Sequence, residues 1–198
     1  MLKSIRIFLI ISFLSFAFTA CNSLKIPGKK VENKIENYEI TPFSTTEENI
    51  FQAEIIAFER TLKGNLAVKN YAENHQRLAL VSSLGNTLLD MEIKDHKVEI
   101  KYIIDDLDKN IIRYKLKKYF GLLMNSNYKI KKTHQTSEGK ILRSKFQGKP
   151  IFLYLDSAEK LYKIRQASRF KEKVKIQIKE NNQVIFQSKE LPIQMEFK

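Results

Sequence analysis

Tryptophan is missing from this chain, and cysteine occurs once in 198 residues, at Cys21. A single thiol excludes an intramolecular disulfide framework, a zinc knuckle and a dithiol redox motif. Four prolines and six glycines leave little room for low-complexity sequence, and the glycines, at 28, 64, 85, 121, 139 and 148, are too dispersed for a phosphate-cradling loop or a dinucleotide fingerprint. The three histidines, His75, His96 and His134, match no zinc spacing and fall in expected turns. No Gly-x-Ser-x-Gly elbow is present. A catalytic constellation cannot be assembled from these residues, so the expectation is a protein that is not an enzyme and holds no cofactor or metal. Asp106-Leu-Asp108-Lys-Asn110 imitates the opening of a calcium loop, but Ile111 stands where glycine is required and Lys117 where glutamate is.

What is present is an export signal. Lys3 and Arg6 precede a stretch from Ile7 to Phe18 built only of Ile, Phe, Leu, Ser and Ala, a basic region followed by a short apolar one. A spanning helix needs roughly 20 apolar residues, so this segment is short for a permanent anchor and reads as a cleaved signal peptide over 1–20. Phe18-Thr19-Ala20-Cys21 puts a bulky residue where an ordinary signal peptidase wants a small one. The run resembles the lipobox of bacterial lipoproteins, which implies a lipid on Cys21, with Phe18 departing from the usual leucine. Two or more acyl chains, at about 0.8 kcal/mol per buried methylene, make a stable membrane anchor. Asn22, in place of the aspartate that retains some lipoproteins at the inner membrane, leads to the expectation of the periplasmic face of the outer membrane.

Loss of 1–20 removes two of the 35 basic residues and none of the 22 acidic ones, so the net charge falls only from +13 to +11. Lysines at alternate positions, such as Lys171, Lys173 and Lys175, read as a solvated sheet face in preference to a nucleic-acid surface. Residues 21–48 are polar and lysine-rich without a sustained period, the composition of a flexible tether. Residues 49–198 are long enough for one domain.

Within that domain Leu62, Gly64, Leu66 and Val68 alternate with polar residues, a half-buried strand. Leu78 and Leu80 precede a Ser83-Leu84-Gly85-Asn86 turn, and Leu89, Met91 and Ile93 resume the alternation, predicting a hairpin. Val98, Ile100, Tyr102 and Ile104 form the next strand after Asp95-His96. The period then changes to helical: Ile112, Leu116, Tyr119, Phe120 and Leu123 make one stripe, with Arg113, Lys115, Lys117 and Lys118 between. Asp105, Asp106 and Asp108 are placed to cap that helix. Strand patterns return from Lys140 onward, with Asn181-Asn182 as a turn. Residues 49–59 fit either a helix or a strand. The fold class is mainly β with one helix, an antiparallel sheet of about eight to eleven strands.

The segment from Arg77 to Ile93, with its alternating leucines and Leu84-Gly85 turn, resembles the LolB family of outer-membrane lipoprotein receptors. Leu62-Lys-Gly64-Asn-Leu-Ala-Val68 looks like that family's early strand. The resemblance covers about residues 50–125 and favours a strand at 49–59. It implies an incomplete, half-open β-barrel: a curved antiparallel sheet with a helix packed in its concavity. It also implies a hydrophobic cavity that receives acyl chains of lipoprotein cargo from a LolA-like carrier, in a monomer. On that view Leu84 is the membrane- or ligand-contacting residue, though a turn leucine can equally fold back over the rim. The strand candidates for lining the cavity are Leu66, Val68, Leu78, Leu80, Leu89, Met91, Ile100 and Tyr102; Leu116 and Phe120 are the helical ones. The competing reading is a non-catalytic envelope scaffold that uses its basic surface.

Overall fold

The computed structural model describes residues 26–32, 34–39, 43, 48–72, 75–168 and 171–198. The signal segment and Cys21 lie outside these residues. Strand alternation is realised along most of the chain as antiparallel ladders. The described strands are β1 (Lys29–Val31), β2 (Asn37–Glu39), β3 (Glu48–Ala57), β4 (Arg60–Ala72), β5 (His75–Val81), β6 (Thr87–Lys94) and β7 (Lys97–Ile103). After the helix come β8 (Asn127–Lys129), β9 (Lys132–Gln135), β10 (Lys140–Phe146), β11 (Lys149–Leu155), β12 (Leu161–Ala167), β13 (Glu172–Ile178), β14 (Val184–Ser188) and β15 (Ile193–Phe197).

Thirteen of these strands form one antiparallel sheet, in the order β1-β9-β10-β11-β12-β13-β14-β15-β3-β4-β5-β6-β7, while β2 pairs only with β8. The sheet is larger than the eight to eleven strands expected, and the described strands do not close it into a barrel. Its central seam joins the two ends of the folded chain: β15 lies beside β3, with Met195 opposite Ile55. The segment read as ambiguous, 49–59, is thus a strand in the middle of the sheet.

Residues expected to be a tether hold structure of their own. β1 extends the sheet by pairing with β9, and Tyr38 of β2 sits opposite Tyr128 of β8. Phe43 is buried, with its ring edge-on to Phe51 at 5.1 Å and Phe197 at 5.3 Å. The strand partners of β1 and β2 lie 88 to 106 residues away, so local polar composition carries no trace of the pairing.

The helical period is realised as α1 (Asn110–Leu123), beginning two residues ahead of the apolar stripe. The aspartates before it do not cap it. Lys109 occupies the cap position without a side-chain bond, and Asp105–Leu107 forms a separate 3-10 turn. Asp108 instead receives Arg113, whose Nη2 lies 2.7 Å away, and Asp106 lies 3.9 Å from Arg60. Glycine is required at position 64 of β4, where an added Cβ would stand 2.1 Å from the Val81 carbonyl oxygen.

α1 lies against strands that are far apart in the sheet. Tyr119 meets Phe186 of β14 at 4.8 Å between ring centres, and Phe120 meets Phe197 of β15 at 6.5 Å. At Gly121 a Cβ would find Val98 of β7 at 3.2 Å and Phe146 of β10 at 3.5 Å. β7 is one end of the sheet and β10 is two strands from the other. One helix therefore gathers both flanks and the middle of the sheet around a common core.

Candidate functional site

The Leu84 turn is built by its neighbours. Ser82 N–H donates to the Asn86 carbonyl at 2.9 Å, Gly85 N–H to the Ser82 carbonyl at 3.0 Å, and Asn86 N–H to Ser82 Oγ at 3.1 Å. Gly85 takes φ +85°, a left-handed conformation that glycine adopts without strain. These bonds tie Ser82, Gly85 and Asn86 together at the base of the turn and leave Leu84 outermost, 86% exposed. Below it, Arg77 grips Asp90 with two hydrogen bonds, Nε at 3.1 Å and Nη2 at 2.7 Å, which clamps β5 to β6.

The cavity-lining candidates divide. Leu66, Val68, Leu78, Leu80, Leu89, Met91, Ile100, Leu116 and Phe120 are brought together in one core cluster and are each 7% exposed or less. A void wide enough for water beside any of them would leave accessible area on it, and Val68, Leu78, Leu80 and Met91 have none. These four therefore pack with no water-sized gap beside them, and the other five are buried in the same cluster. Tyr102 does not join them: it is 47% exposed. The ladder shifts register there, pairing Asp90 with Tyr102 but Met91 with Ile100, so Lys101 is an extra residue and the alternation slips by one. Ile103 takes the inward place in its stead.

Two grooves occur elsewhere. One of about 280 Å³ is bordered by Glu54, Lys63, Ser83, Glu196 and Lys198, and one of about 320 Å³ by Glu138, Asp156, Tyr162, Ile178 and Glu180. None of the ten lining candidates borders either groove.

The histidines occupy strands as well as turns. His75 opens β5 with Nε2 2.8 Å from Glu92 Oε1, His134 lies in β9, and His96 sits in the β6–β7 turn at φ +62°. Hydrogen bonds from Lys101 and His75 pull Glu92 down to about 2. No group of three His, Cys, Asp or Glu among the described residues is arranged to hold a metal. No helix among them is long and apolar enough to cross a membrane, which says nothing of strands.

The apolar stripe of α1 hid a polar cluster. Tyr119 Oη and Ser188 Oγ lie 2.6 Å apart. Glu190 joins Lys115 at 3.0 Å on Oε2 and Lys173 on Oε1. Burial pushes the Glu190 carboxyl up, but the hydrogen bonds from Lys173 and Lys115 prevail and hold it at about 2. Lys118, assigned by its type to the solvated side, is buried. The available signal was Leu122, one helical turn further on and also buried, which widens the apolar stripe to include position 118.

No protein-family profile matches this chain, and no curated protein does. Among solved structures, a DUF1329 family protein from Desulfovibrio piger aligns over 78% of this chain and 84% of its own, at 5% identity and a TM-score of 0.38. At that score and identity neither a shared fold nor a shared activity follows.

Proposed function

We infer that this is a lipid-anchored envelope protein, held by acyl chains on Cys21 at the periplasmic face of the outer membrane, where it handles acyl chains of lipids or lipoproteins without catalysing a reaction. Its sheet is read as a half-open barrel with α1 in the concavity, in the manner of the LolB-like receptors. The observation that carries this reading is Leu84, almost fully exposed at the tip of a turn that bonds among Ser82, Gly85 and Asn86 hold in shape. An apolar tip of that kind gains free energy on entering hydrocarbon, about 1.5–3 kcal/mol for a leucine. The chain leaving β7 runs beside the same hairpin, with Ile104 N–H donating to Leu88 O at 3.1 Å, and the exposed Ile111 and Tyr114 follow on the first turns of α1.

Nine of the ten lining candidates are buried in one core cluster, so an acyl chain reaches them only if α1 moves off the sheet. A photoactivatable fatty acid fed to cells making the full chain tests this. Crosslinks are expected on peptides carrying Leu84 or α1, beyond any on the Cys21 peptide; label confined to the Cys21 peptide sinks acyl-chain handling. Incorporation of labelled palmitate that persists in Cys21→Ala sinks the anchor separately. The filled interior itself favours a second reading, a scaffold that docks on anionic head groups through its basic surface.

A further inference from the structure

Lysine is among the residue types least often buried, yet Lys118 is 7% exposed on the inward side of α1. A buried ammonium is ordinarily answered by a carboxylate or by several oxygens. Here the one carboxylate acting on it, Glu190, already has each oxygen bonded to another lysine, Lys115 or Lys173. The β10–β11 hairpin runs beside α1 here: a Cβ on Gly121, one helical turn beyond Lys118, would stand 3.5 Å from Phe146, and Phe146 pairs with Lys149, whose ammonium acts on that of Lys118. Three lysines thus share one carboxylate, and Lys149 adds a fourth positive charge beside Lys118.

A donor on the neighbouring strand is also unspent. Gln166 of β12 is 1% exposed and its side-chain nitrogen has no hydrogen-bond partner. It stands opposite Ile151 and Val174, both in the main core, so its side chain faces inward. Lys149 lies two residues before Ile151 on the same face, just past the end of the β11–β12 ladder, whose last pair is Ile151 with Gln166. A diagonal offset of two residues on one face is about 7–8 Å, which long side chains bridge. Excess positive charge and an unused amide donor at the seam of helix and sheet are complementary to an oxyanion.

We propose that Lys118 and Lys149, assisted by Gln166, bind a phosphate-type oxyanion between α1 and β11, either free phosphate or the phosphomonoester head group of a lipid. The site stands apart from acyl-chain handling and survives its failure. Burial first, then Lys149, pushes Lys118 down to about 8, so binding weakens as pH rises through that value. The groups facing it are Lys149 from β11, Glu190 from the β14–β15 turn and Lys115 from its own helix, with Lys173 of β13 held on Glu190.

The test is calorimetric titration of the full chain in a non-ionic detergent with inorganic phosphate at neutral pH, and with soluble dihexanoyl phosphatidate in parallel. Saturable binding is expected, at least tenfold weaker in Lys118→Met and in Lys149→Gln. Lys118→Met should melt no lower than the parent without phosphate, because it removes an unanswered charge and keeps the packing. Phosphatidate binding more than tenfold tighter than phosphate, and competing with it, identifies a lipid head group; equal or weaker binding identifies free phosphate. No saturable response to either, or equal responses in the parent and in the rim variant Lys149→Gln, overturns the proposal.

Discussion

Glu190 shows how one side chain can decide the sign of a local field. Its side chain is 17% exposed, and two ammoniums hold its carboxyl at about 2, against an ordinary value of 4.5. A carboxyl that is more acidic folded than unfolded adds stability above its unfolded value and loses it as pH falls toward its folded one. Glu190→Gln should therefore cost about 1–3 kcal/mol at neutral pH, partial screening included. The difference between parent and variant should shrink as pH drops from about 4.5 to about 2, read by urea unfolding across that range; a gap that is constant over it would show that the charge contributes nothing. Tyr119→Phe, which deletes the bond to Ser188, should cost about 1 kcal/mol in the same assay without that pH dependence.

At the scale of elements, β4 comes close against β5 at Gly64. Gly64→Ala places a methyl group 2.1 Å from a carbonyl oxygen that is itself part of the ladder, so the strands must part. A loss of about 1–3 kcal/mol is expected, seen as a melting midpoint lowered by several degrees. Gly148→Ala has open space around its Cβ, and only its φ of +75° costs, so it should lose less. An equal loss in the two would mean that the contact at Gly64 does not matter. The β4–β7 meander and the Leu84 turn were legible in the sequence because each depends on its own alternation and turn residues. β1 and β2 were not, since three-residue segments such as Lys29–Val31 and Asn37–Glu39 become strands only through partners at 127–135. Lys118 escaped because a lysine reads as solvated unless the residue a turn away is weighed with it. Tyr102 was misplaced for a different reason: a bulge shifts facing by one residue and leaves no mark in the hydrophobic pattern.

For the molecule as a whole, the two readings of function place different demands on the same surface. A net charge of +11 without residues 1–20 draws the protein to anionic bilayers at about 1 kcal/mol per lysine near the surface, an attraction that salt removes as the screening length falls from about 10 Å at 0.1 M to about 3 Å at 1 M. Insertion of Leu84 is an apolar event that salt does not weaken. A chain beginning at Asn22, which has no thiol to lipidate, separates the two in a sedimentation assay with vesicles. If acyl-chain handling through the turn is right, Leu84→Glu should lower binding by about tenfold, given the 1.5–3 kcal/mol of a buried leucine. Part of the parent's binding should survive high salt. The variant's melting midpoint should stay unchanged, because the side chain touches nothing that folding buries. Under the scaffold reading, Leu84→Glu binds nearly as well as the parent, and high salt releases both completely. That second pattern would leave the basic surface as the working part of the protein, and the filled interior beneath α1 as the core of a rigid platform.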